Sequence, residues 1–161
     1  MDSLDSLEPE QIDAIALGIW NMKRGRALIL ADQTGMGKGR IVAAVARWAA
    51  MNGKQTNFMT EKESLFSDFW RDIRDIGAEG DFTPFIMNTN VSIVSMDGDE
   101  QAVMVPKTSN ATRNAIIESG APASDHGYNL MLSTYSQFNK EVGKSAKSAY
   151  IAGDASKGAV V

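Results

Sequence analysis

An α/β fold with a mostly parallel sheet is what this sequence predicts, and three observations carry the prediction. A continuous apolar run, Ala27-Leu28-Ile29-Leu30-Ala31, is followed by a glycine-rich turn and then by a helix-period segment from Lys38 to Met51. A second strand-like run, Thr56 to Thr60, leads into another helical segment, Glu63 to Ile76, stopped by Gly77. A third run, Asn129 to Thr134, again has strand character. Strands alternating with helices argue for parallel pairing, because parallel neighbours need a crossover between them.

The elements follow in order. Glu8-Pro9-Glu10 opens a helix with proline and acids in the first turn, and Ile12, Ile15, Ala16 and Ile19 recur at helical spacing until Lys23-Arg24-Gly25 ends it. Ala27 to Ala31 has the composition of a strand buried on both faces. In the helix from Lys38, an apolar stripe of Ile41, Val42, Val45, Ala46, Trp48 and Ala49 ends at Asn52-Gly53. Trp48 and Trp70 fall on apolar helical positions and are expected in the core. Val91 to Val94 is a further strand. Asp97 to Asp125 is rich in turn residues, with one helix from Ala111 to Glu118, and residues 97–126 are expected to form an insertion. Lys140 to Lys157, polar and rich in small residues, is expected to be a loop. Gly158-Ala159-Val160-Val161 has the composition of another buried strand at its opening, so the domain reads as cut there.

The chain has 161 residues, 43% hydrophobic and 22% charged, enough for one domain with a core. Net charge is -4, which weighs against strong autonomous DNA binding without excluding a local basic patch. There is no cysteine, so disulfides, cysteine zinc sites and a cysteine nucleophile are excluded, and a reducing compartment fits. No window approaches the roughly 18 to 20 apolar residues of a membrane span. Met1 to Glu10 is too acidic and polar for a signal peptide. The lone histidine, His126, sits in a polar loop and is given no role.

The segment Ala31-Asp32-Gln33-Thr34-Gly35-Met36-Gly37-Lys38-Gly39-Arg40 carries the chemistry. A phosphate-binding loop has Gly, four residues, Gly-Lys and then Ser or Thr, set between a strand and a helix. That context aims backbone N–H groups and the helix dipole at an anion. Lys38 would reach the β- and γ-phosphates of a nucleoside triphosphate. Two positions depart from the pattern. Asp32 replaces the first glycine, and Gly39 replaces the hydroxyl residue that binds Mg²⁺. The metal must then be held by water and by a carboxylate from elsewhere. Asp97, at the end of an apolar run, is the weak candidate within the chain; its other reading is an Asp97-Gly98 turn.

These residues resemble motif I of superfamily 2 helicases, in which an acid commonly replaces the first glycine. The Gly39-Arg40 ending is similar to that of the strawberry-notch-like branch. So is Arg71-Asp72-Ile73-Arg74-Asp75-Ile76-Gly77, and Ser133-Thr134-Tyr135-Ser136-Gln137 resembles the segment ahead of that branch's Walker B strand. The resemblance covers about Leu7 to Gly80 and Asn129 to Phe138. It implies a RecA-like P-loop three-layer fold, incomplete at the C-terminus, with residues 1–25 as a helical region like the glutamine motif.

It further implies ATP and Mg²⁺ as cofactors, with Lys38 catalytic and Gln11, Thr34, Gly35, Met36, Gly37, Lys38, Gly39 and Arg40 around the nucleotide. Gln11 would read adenine; otherwise it is a surface residue of the first helix. Thr60, Thr134 and Ser136 would meet nucleic acid, DNA rather than RNA; otherwise they are strand-end caps. Arg71, Asp72, Arg74 and Asp75 would order a nucleic-acid groove or form a solvated helix face. A second RecA-like domain in the same polypeptide would be the partner, with no membrane involved. The setting would be cytoplasmic in a bacterial or phage-infected cell and nuclear in a eukaryote. These residues alone are expected to bind nucleotide weakly and not to turn it over. The competing functions are a self-contained small P-loop NTPase or kinase using Asp97, and a non-catalytic assembly domain.

Overall fold

The computed structural model describes residues 7–31, 37–97, 100–138 and 145–156. Helix α1 (Pro9–Met22) starts with proline in its first turn and a Glu8–Gln11 capping box. Helix α2 (Lys38–Met51) begins at Gly37, whose φ of 67° is the left-handed backbone that glycine adopts without strain. Strand β1 (Thr56–Thr60) leads into α3 (Ser64–Asp75), and β2 (Pro84–Ile86) follows. A hairpin, β3 (Ile93–Asp97) and β4 (Glu100–Val105), then precedes α4 (Asn110–Ser119). Strand β5 (Leu130–Thr134) and helix α5 (Ala146–Ser156) complete the described chain.

The fold is mixed α/β around a parallel three-stranded sheet of order β1-β5-β2, the arrangement of a P-loop RecA-like fold. Both partners of β5 run parallel to it, with Thr60 opposite Thr134. The hairpin is a separate antiparallel sheet. Successive strand residues point to opposite faces, so alternate positions feed different cores. Leu130 and Leu132 of β5 and Ile86 of β2 pack under Phe66, Phe69, Trp70 and Ile73 of α3 and Ala43 and Ala46 of α2. Met131 and Phe85 face the other way, onto Ile116 of α4 and Tyr150 and Ile151 of α5. Three layers result: α2 and α3, the sheet, then α4 and α5. Trp70 is in the core as expected, whereas Trp48 is half-buried.

Two expectations are corrected. Ala27 to Ala31 forms no strand: it has no ladder partner among the described residues, and Ile29 is 87% exposed. A buried strand needs neighbours for its N–H and C=O groups. Here a cavity of about 730 Å³, lined by Leu28 and Leu30, by Val42 and Val45 of α2, and by Phe58 of β1, lies between the run and the sheet. The expected loop from Lys140 to Lys157 contains α5 instead. Its polar residues have partners that only tertiary contact supplies. Asp154, buried, accepts from Gln55 Nε2, from Asn57 Nδ2 at 3.0 Å and from the Ala123 N–H at 3.3 Å. Tyr150 donates to the Ala121 carbonyl at 2.9 Å, and burial pushes its phenol pKa up.

The remaining boundaries moved less. The strand expected at Val91 to Val94 runs instead from Ile93 to Asp97, and β2 is three residues long, too short to show a period. The expected insertion, residues 97–126, contains α4 and sends Ile116 and Ala123 into the core. Gly158 to Val161 lies outside the described residues.

Candidate functional site

The site is built at the start of α2. The first turn of a helix leaves backbone N–H groups without intrahelical partners and carries the positive end of the dipole. In α2 that turn holds Lys38, Gly39 and Arg40 and no acid. Thr34, Gly35 and Met36, together with Asp32 and Gln33, lie outside the described residues.

Two neighbours close on this turn through glycines. The first is Gln11 of α1, which is buried at 8% exposure. Its Oε1 accepts from the Glu8 N–H at 3.0 Å, which holds the amide in place. A Cβ on Gly37 would overlap Gln11 Nε2 and lie 3.4 Å from its Cδ, so the amide is packed directly on this turn, while the φ of 67° is what favours glycine. The structure therefore brings Gln11, Gly37 and Lys38 together from two separate helices, and Gln11 is not the exposed residue that a first-helix position suggests.

The second neighbour is Asp72 of α3. A Cβ on Gly39 would overlap Asp72 Oδ2 and stand 2.7 Å from its Cγ. One turn further along α3, Asp75 pairs with Arg40 at 3.2 Å. The charged run on α3 is thus divided. Arg71 pairs with Asp68 at 3.0 Å, and Arg74 with Glu79 at 3.6 Å, on the solvated side. The aspartates turn to α2. Sequence reasoning missed this role for Asp72. The available signal was its position beside the apolar stripe of Phe66, Phe69 and Ile73, but no period says which helix that stripe packs against.

Burial holds the Asp72 carboxyl above its ordinary pKa; Arg71 opposes this and Asp75 adds to it. A carboxyl with a raised folded pKa favours folding below the ordinary carboxylate range and loses that contribution as pH rises through the folded value. At neutral pH the ionised group is therefore a net cost to the fold. Asp72→Asn is expected to raise the melting temperature at pH 7, with the gain shrinking as pH falls toward 4. Melts across that range check it; a variant less stable than wild type at pH 7 would contradict it.

The carboxyl ends of the parallel strands carry a second polar cluster. Asn88 Nδ2 donates to Glu63 Oε1 and to Thr134 Oγ1, both at 2.8 Å, and the Thr134 N–H donates to Asn88 Oδ1 at 3.1 Å. The Thr134 and Ser136 hydroxyls share a 2.8 Å hydrogen bond. Thr60 and Thr134 are buried, and Ser136 is the exposed end of the chain of bonds. Nearby, Lys147 donates to the Met87 carbonyl and to Thr89 Oγ1, at 3.3 and 3.1 Å. Burial, with the neighbouring Arg113 charge, holds the Lys147 amine below its usual pKa.

Asp97 closes the β3–β4 hairpin opposite Glu100, outside the parallel sheet. Among the described residues no group of three or more His, Cys, Asp or Glu is placed to hold a metal alone. A Mg²⁺ bound through nucleotide phosphates needs only one or two protein carboxylates. No helix among the described residues is long and apolar enough to cross a membrane.

A family model described as P-loop containing NTP hydrolase pore-1 matches residues 18–152. The match spans Lys38, Asp72, Thr134 and Ser136; Gln11 precedes it. No curated protein matches the chain.

Proposed function

From a chain that belongs to the P-loop containing NTP hydrolase pore-1 family, we propose the ATP-binding lobe of a nucleic-acid-dependent helicase or translocase of the strawberry-notch-like kind. Family membership carries the P-loop NTP hydrolase domain, with nucleotide and usually Mg²⁺ as its ligands. The observation that supports the narrower reading is the placement of Gln11 against Gly37, directly beside Lys38. A glutamine amide can pair with the N6 and N7 edge of adenine. Lys38 and the backbone of the turn would hold the phosphates. When bound, Mg²⁺ would neutralise phosphate charge. Ser136, exposed at the carboxyl end of β5, and the Thr134 hydroxyl that orients it would face a nucleic-acid backbone. In the complete protein a second RecA-like domain would close over the nucleotide, in the cytoplasm of a bacterial or phage-infected cell or in a eukaryotic nucleus.

Competition binding tests the adenine reading. ATP is expected to bind this chain more tightly than GTP by roughly tenfold, the order of one bidentate base contact. Gln11→Ala is expected to erase the difference. Equal affinities in wild type would remove the support that Gln11 gives. Single-stranded DNA is expected to change ATP affinity, and ATP to change DNA affinity by the same factor. No coupling in either direction would argue for the assembly-domain alternative.

A further inference from the structure

Gly39 and Asp72 form a pair that the phosphate-loop pattern does not contain. The pattern puts a hydroxyl on the residue after the lysine and uses it to bind the nucleotide's Mg²⁺. Gly39 has no side chain to offer, yet the volume of that side chain is filled. A Cβ at residue 39 would overlap Asp72 Oδ2, so an oxygen of α3 stands where the loop's own side chain would begin. Arg71 approaches the other oxygen, Asp72 Oδ1, at 3.8 Å, leaving Oδ2 as the atom against the turn. The Arg40–Asp75 pair pins α3 to the same turn. The Asp72 side chain is 18% exposed, so it is sheltered without being sealed from solvent. Carboxylate oxygen is the hard donor that Mg²⁺ takes beside phosphates and water.

Resting on the nucleotide-site reading above, we propose that Asp72 supplies from α3 the protein oxygen ligand for nucleotide-bound Mg²⁺ that the loop lacks at Gly39. The glycine and the carboxylate are then one device: the glycine makes room, and the carboxylate replaces the missing hydroxyl. The charge run on α3 and the unusual end of the phosphate loop have a common explanation, because each occupies space the other leaves.

The test uses the 161-residue chain and a fluorescent ATP analogue titrated with and without Mg²⁺, with Mn²⁺ paramagnetic resonance as an independent readout of metal at the site. Wild type is expected to bind the analogue more tightly with Mg²⁺. Asp72→Asn is expected to reduce that gain by roughly tenfold or more without weakening metal-free binding, since it removes a negative charge beside the phosphates, and to weaken the nucleotide-dependent Mn²⁺ signal. Gly39→Thr alone collides with the carboxylate and is expected to lose binding. Combined with Asp72→Ala, it regains a hydroxyl in the vacated space and is expected to recover the Mg²⁺ dependence. Asp72→Asn with the full wild-type Mg²⁺ gain overturns the proposal and leaves the nucleotide site standing. So does an equal loss with and without metal, which would mark Asp72 as a packing residue. A wild-type chain that binds no analogue under either condition overturns both readings.

Discussion

Lys38→Ala is expected to abolish the stabilisation of this chain by ATP. A ligand that binds only the folded state at about a hundred times its Kd stabilises by about 2.7 kcal/mol. For a domain of this size that corresponds to a rise of roughly 5–10 °C in Tm. Lys38 is the first residue of α2, immediately after the left-handed Gly37, so its ammonium is the cation nearest in sequence to the turn that would hold the phosphates. Removing it deletes a charge-assisted contact without touching the core, where Ile41, Ala43 and Ala46 carry the packing of this helix. The variant should therefore melt near the wild-type temperature in the absence of nucleotide and show no rise when ATP is added. Thermal melts over an ATP series check this. A variant that gains as much as wild type would show that the nucleotide sits elsewhere.

Asp154→Ala is expected to cost about 3 kcal/mol or more of folding stability. The carboxylate is 4% exposed and accepts from Gln55, Asn57 and the Ala123 N–H. Truncation leaves Asn57 Nδ2 and the Ala123 N–H buried without that acceptor, at about 1–3 kcal/mol each, while Gln55 Nε2 keeps Asn57 Oδ1 at 2.7 Å. It also releases α5 from the start of β1, since Gln55 and Asn57 flank the first residue of that strand. Against a typical total of about 5–15 kcal/mol, such a loss populates the unfolded state. Urea denaturation measures it. A loss under about 1 kcal/mol would mean that water replaces the carboxylate, and that α5 is held by Tyr150 and Ile151 alone.

The two residues differ in how visible they are in the sequence. Lys38 is legible because the phosphate loop is a local device. A glycine turn, a lysine and a helix start lie within a few residues, and their spacing is itself the geometry. The same locality makes α2 and β1 readable to the residue, and α3 to within one or two. Asp154 is not legible. It lies in a run of small and polar residues whose helix has little apolar periodicity to announce it, and its partners are 31, 97 and 99 residues away. Ala27 to Ala31 fails in the opposite direction: its composition is that of a buried strand, but composition cannot supply the neighbour that strand pairing requires.

By itself, then, the sequence determined the α/β class, the alternation that makes the sheet parallel, and the pattern at Lys38 that pointed to a P-loop domain. Each of these depends on residues near one another in the chain. The tertiary structure decided what surrounds the loop. It set Gln11 against Gly37, laid Asp72 into the space that Gly39 leaves, and paired the exposed Asp75 with Arg40 of α2 while Arg71 took Asp68 in solvent. Helical periodicity tells which face of α1 or α3 is apolar, but not which helix that face meets or at what level. Only the packed layers bring together carboxylate, amide and glycine from separate helices.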